Sequence, residues 1–77
     1  MAAKAFVLIE TAVGRTKEVA TVLEQLEGVK SVDPVTGPYD VIAIIEAESL
    51  DGIGGLVTGR INSIPGVSRT VTCLCLT

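Results

Sequence analysis

The sequence predicts an α+β domain in which two strand–helix–strand units follow one another, giving the order βαββαβ. Three observations carry that reading. Four short runs rich in Val, Ile and Leu alternate with two stretches of helical apolar spacing. Gly and Pro punctuate the segments between them. The two halves also echo each other, with Glu27-Gly28-Val29 in the first matched by Pro65-Gly66-Val67 in the second. Such an order folds as a four-stranded antiparallel sheet with both helices on one face, the ferredoxin-like arrangement.

Each element has its own warrant. Residues 5–11 (AFVLIET) form a β-branched-rich run that Gly14 ends, the first strand. From Thr16 to Glu27, Val19, Val22, Leu23 and Leu26 fall on one helical face, and Gly28 is placed to stop that helix. Residues 29–35 (VKSVDPV) read as a second strand. Pro34 lacks a ladder donor, which confines this strand to an edge or gives it a bulge. Thr36-Gly37-Pro38 is a turn, and residues 39–47 (YDVIAIIEA) complete a hairpin with the third strand. Ser49 is the expected N-cap of the second helix, with Asp51 in its first turn. Leu50, Ile53, Val57, Ile61 and Ile64 keep helical spacing up to Pro65-Gly66. Four glycines (52, 54, 55 and 59) lie inside it, each costing about 1 kcal/mol relative to Ala. They suit either close packing on the sheet or a segment beside a ligand. Residues 67–76 (VSRTVTCLCL) close the fold as the fourth strand.

Composition bounds the function. Seventy-seven residues hold one core, so the whole chain, 1–77, is read as a single domain. The hydrophobic fraction is 48%, almost all aliphatic, since Phe6 and Tyr39 are the aromatics. The longest uncharged apolar runs, Ala5–Ile9 and Val41–Ile45, are far short of the roughly 20 residues that span a bilayer. The N-terminus lacks the pattern of a signal peptide, so the expected location is the cytoplasm. The formal net charge is −3 and the six cations are scattered, which argues against direct nucleic-acid binding.

The strands then give the central expectation. An antiparallel sheet with one wet face alternates apolar and polar residues. Here Val41, Ala43 and Ile45 share one face while Ile42 and Ile44 occupy the other; Ala5, Val7 and Ile9 likewise oppose Phe6 and Leu8. Two helices cover one face only. The second is expected to be covered by another copy, sheet against sheet about a two-fold axis. Burying about 600 Å² of apolar area per subunit there contributes about 15 kcal/mol before association costs are subtracted.

Little in the chain can carry catalysis. It has no His, no nucleophile elbow and no phosphate-binding glycine motif, and the acids Glu46 and Glu48 at a strand end read as solvated. No catalytic residue, cofactor or metal is expected. Cys73 and Cys75 share one strand face with Cβ atoms about 6–7 Å apart, too far for an undistorted disulfide, and are expected to be buried thiols acting as small hydrophobes. A soft-metal role for the pair is the competing reading. Asp40, beside Tyr39, is expected to cap its own turn. Thr70 and Thr72 share a face of the fourth strand, as β-forming filler or as a hydroxyl pair. With free backbone groups at the hairpin, such hydroxyls could accept from an ammonium and donate to a carboxylate.

The segment Thr36-Gly37-Pro38-Tyr39-Asp40-Val41-Ile42-Ala43 resembles the G-x-Y/F-D-hydrophobic segment of the Lrp/AsnC family of transcription regulators. Ile61-Asn62-Ser63-Ile64-Pro65-Gly66-Val67 and the Thr70-x-Thr72 pattern resemble the same family's C-terminal effector domain, and the likeness spans nearly the whole chain. The resemblance implies a stand-alone effector (RAM) domain without the helix-turn-helix half. It implies homodimers that assemble into octamers or decamers, with amino-acid effectors between dimers, and full-length regulators of the family as partners. Carried across, the ligand residues are Gly37, Pro38, Tyr39, Asp40, Thr70 and Thr72. The glycine-rich second helix departs from the family pattern, and with Asp51 as its one acid a neutral effector is expected rather than lysine. The alternative is an enzyme of the dimeric α+β-barrel kind, which normally needs a His or several convergent polar groups.

Overall fold

A computed structural model describes residues 2–76 of the chain. The observed order is β1 (Ala3–Thr11), α1 (Thr16–Glu24), β2 (Val29–Pro34), β3 (Val41–Ala47), α2 (Leu50–Leu56) continued by a π-helical turn (Val57–Ile61), and β4 (Val67–Leu74). The strands form one antiparallel sheet in the order β2-β3-β1-β4, with the expected ferredoxin-like topology. Pro34 sits at the end of an edge strand, and β2 carries a register shift between Val29 and Ser31.

The alternation read from the sequence sorts the two faces. Ala5, Val7 and Ile9 of β1 pair with Ile45, Ala43 and Val41 of β3, and all six are fully buried beneath the helices. Val19 and Leu23 of α1, and Ile53, Val57, Ile61 and Ile64 after β3, complete this core. On the other face Phe6 is 37% exposed, Leu8, Ile42, Ile44 and Val71 are half-buried, and Cys73 is exposed. Cross-strand pairs of opposite charge bound this apolar centre, Lys4 with Glu46 at one end and Glu10 with Arg69 at the other. Cys73 is therefore not the buried thiol expected. Its register partner is Phe6, on the face that the helices do not reach.

Element ends differ from expectation for local reasons. Helix α1 stops at Glu24 rather than Glu27, because Gln25 and Leu26 donate to Val22 and Leu23, three residues back, and the last turn tightens. Leu26 still packs on the core. Two glycines then join the halves. Gly28 (φ 94°) accepts from the Glu46 N–H (2.8 Å), and Gly66 (φ 101°) accepts from the Ala12 N–H (2.8 Å). A Cβ on Gly28 would meet Leu56 Cδ2 at 3.1 Å, and one on Gly66 would meet Val19 Cγ2 at 3.0 Å. Each glycine thus abuts the helix of the other half, so the sequence echo corresponds to a repeated contact.

The second helix is not uniform. Ser49 caps it, accepting from the Gly52 N–H at 3.2 Å. Ile53, Val57 and Ile61 are spaced by four, and four residues overshoot an α-helical turn by about 40°. The π-helical turn, closed by the Asn62 N–H to the Val57 carbonyl (2.8 Å), widens the spiral and keeps all three buried. A Cβ on Gly52 would lie 2.8 Å from Ala47 Cβ, so close packing accounts for that glycine. At Gly54, Gly55 and Gly59 a Cβ would meet nothing within 4 Å. Packing does not account for those three.

Candidate functional site

Of the six residues expected at a ligand, Gly37, Pro38, Tyr39, Asp40 and Thr70 lie at one end of the sheet, and Thr72 lies further along β4, opposite Val7. Ile9 of β1 pairs with Val41 on one side and Thr70 on the other, so the turn before β3 and the start of β4 flank the same strand end. The turn is closed by the Val35 N–H donating to the Asp40 carbonyl (2.8 Å), and Gly37 takes a φ of 130° within it. Gly37 and Pro38 are exposed, and Tyr39 and Asp40 half-buried.

Asp40 does not cap its own turn. Its Oδ2 accepts from the Thr11 N–H at 2.8 Å and from Thr11 Oγ1 at 3.2 Å, and Thr11 Oγ1 lies 2.8 Å from Thr16 Oγ1. Its backbone N–H donates to the Ile9 carbonyl (2.9 Å). The carboxylate therefore ties the hairpin to the end of β1 and the start of α1. This explains why β3 begins at Val41 and not at Tyr39: Asp40 is drawn toward β1.

Thr70 and Thr72 do share a face, the helix side, through their pairing with Ile9 and Val7. The helices lie over β1, β2 and β3, which leaves Thr72 and Leu74 of β4 exposed. Thr70 Oγ1 donates to Asn62 Oδ1 at 2.8 Å, so its hydroxyl is partnered within the chain. Sequence reasoning missed Arg69. Its Nη2 donates to the Tyr39 hydroxyl at 3.4 Å and its guanidinium lies 6.0 Å from the ring centroid. The available signal was its place immediately before Thr70 at the start of β4, beside the turn. The end of the sheet thus offers a held cation and a phenol beside exposed turn backbone, with Arg69 paired to Glu10 on the outer face. The exposed Thr72 hydroxyl lies on the helix side further along β4, opposite Val7. Those groups suit the carboxylate and ammonium of a small zwitterion.

A separate cleft of about 580 Å³ opens at the opposite end of the sheet, between the α1–β2 turn, the end of β3 and α2. None of the six residues expected at a ligand lines it. Among the described residues there is no group of three or more metal-ligating side chains, and no helix is long and apolar enough to cross a membrane.

Comparison with known proteins gives these observations a frame. The family model described as the Lrp/AsnC ligand binding domain matches residues 4–77. The HTH-type transcriptional regulator FL11 of Pyrococcus abyssi is 35% identical over 72 residues, which cover 94% of this chain and 47% of that regulator. The chain thus spans about half the length of that relative. The crystal structure of TTHA0845 from Thermus thermophilus superposes with a TM-score of 0.92 at 35% identity, covering 97% of this chain and 94% of that one. The transcriptional regulator NMB0573 from Neisseria meningitidis, solved as an L-Met complex, shares the fold with a TM-score of 0.87 at 18% identity, covering 97% of this chain and 50% of that one. The expected resemblance holds over nearly the full length, and the chain belongs to the Lrp/AsnC family through its ligand-binding domain.

Proposed function

We propose that this chain is an amino-acid-sensing regulatory module that works as an oligomer and has no catalytic activity of its own. Residues 1–77 act as one ligand-binding and oligomerisation domain. Two copies pair through the outer sheet face, and pairs assemble into an octamer or decamer. The effector lies between subunits at the Gly37–Asp40 turn, with Thr72 supplying a free hydroxyl and Thr70, whose proton is given to Asn62, supplying an acceptor oxygen. Arg69, held against Tyr39, takes the carboxylate, while Asp40 acts through the turn it anchors. The assembled module works through full-length regulators of the family, as a cytoplasmic protein that does not itself touch nucleic acid.

The observation that carries this reading is the outer sheet face. Six apolar side chains (Phe6, Leu8, Ile42, Ile44, Val71 and Cys73) lie exposed or half-buried on one continuous surface with charge pairs at both ends. A surface of this kind favours a self-complementary partner. The L-Met bound by NMB0573 supports an amino acid as the effector class.

Light scattering tests the assembly, and thermal shift against the proteinogenic amino acids tests the ligand. A ligand at a hundred times its dissociation constant raises stability by about 2.7 kcal/mol. A monomer at working concentration, or no shift with any amino acid, overturns the corresponding half of the proposal.

A further inference from the structure

The cleft at the far end of the sheet is where the two departures from regular backbone meet. Lys30 is the extra residue of β2, left without a partner where the register shifts between Val29 and Ser31. Arg60 lies in the π-helical turn that follows α2. Each irregularity adds one residue to its element, and each delivers a cation to the lining of the same cleft. Bulges and π-helical turns re-aim side chains, and both recur beside binding sites. The π-helical turn already has a packing reason, but that reason concerns Val57 and Ile61 and leaves Arg60 free.

The rest of the lining has matching chemistry. Glu27, Glu46 and Glu48 supply three carboxylates beside the two cations, so the lining holds groups of both signs. Among the described residues none of these five side chains is hydrogen-bonded or ion-paired, since the one ion pair is Arg15–Glu18. Leu56 and Ala47 give the cleft an apolar wall. Gly55 also lines it, at a position where a Cβ would meet nothing within 4 Å. A methyl there would project into open space, so helix packing does not require that glycine. The volume of about 580 Å³ lies within the range of small-molecule sites.

We propose that this cleft is a second ligand site, contained within one chain, for a small zwitterion with an aliphatic side chain. Lys30 and Arg60 take its carboxylate, Glu27 and Glu48 its ammonium, and Leu56 with Ala47 its side chain. The site is independent of the turn at Gly37 and of any pairing of copies.

Glycine amides make the two sites separately visible. The full chain, labelled with ¹⁵N, is titrated with L-leucine, and in parallel with acetate and with methylammonium, which each carry half of the zwitterion. Leucine should shift the amide resonances of Gly28, Gly52 and Gly55 in a saturable way. Either half-probe should bind about tenfold more weakly or worse, because each loses one set of charge-assisted contacts. The double variant K30Q/R60Q, altered only at exposed positions, should weaken leucine by about tenfold or more at these resonances, and E27Q/E48Q similarly. Unmoved resonances at Gly28, Gly52 and Gly55 would overturn the proposal. So would an unchanged response in K30Q/R60Q, or acetate binding as tightly as leucine. A shift at Gly37 alone would sink this site and leave the effector reading at the turn standing; the reverse pattern would do the opposite.

Discussion

Ile44 and Ile45 are the same residue type, adjacent in β3, yet they face different surroundings. Ile45 is fully buried under the helices, whereas Ile44 is half-buried on the outer face. One face of the sheet is finished by the chain itself and the other is not. The difference shows that burial pattern and composition can disagree in a small domain. The helix-covered face satisfies the alternation rule for one side, while the outer face repeats the same aliphatic chemistry without cover.

That contrast can be broken by paired substitutions. Ile45→Ala should cost about 2–5 kcal/mol in urea unfolding at any protein concentration, because it opens a cavity in a closed core. Ile44→Ala should cost less in dilute protein, and its cost should rise with concentration if copies cover that face. Equal, concentration-independent losses would remove the distinction. Leu8→Glu sharpens the same point: a carboxylate at the centre of the outer face should convert an assembled species to monomer in light scattering, with the circular dichroism of the fold retained.

Smaller effects probe the ends of the sheet. Asp40→Ala should cost about 1–3 kcal/mol, since it leaves the Thr11 N–H without its acceptor. If it instead abolished ligand response at unchanged stability, Asp40 would contact the ligand rather than anchor the turn. In α2, Gly54→Ala should stabilise by about 1 kcal/mol or slightly less, its Cβ meeting open space, while Gly52→Ala should destabilise by crowding Ala47. Thermal unfolding of the two variants, expected to move in opposite directions, checks the account of the glycines.

The parts of the fold legible in the sequence were those set by short periods. Alternation in β1 and β3 assigned faces correctly because side chains in a strand reverse at every residue. The edge placement of β2 followed from Pro34, which has no N–H to give a neighbour. The candidate site was less legible, since its partners are remote. Asp40 and Thr11 are 29 residues apart, as Arg69 and Tyr39 are 30, and no local pattern joins them. The π-helical turn was hidden for another reason. Its cause is an accumulated angular drift along Ile53, Val57 and Ile61, which on paper looks like ordinary helical spacing.

The two margins of the sheet are guarded unequally. Along β2, Pro34, the displaced Lys30 and the short six-residue length all discourage a further strand from docking. Along β4, eight residues without proline leave a row of main-chain donors and acceptors facing outward. Two molecules meeting there about a dyad would merge into a layer of twice the width, and both of its new margins would be the protected kind. Growth by strand addition would end at that step. In that arrangement the unequal margins would oppose fibre formation in a chain rich in aliphatic residues.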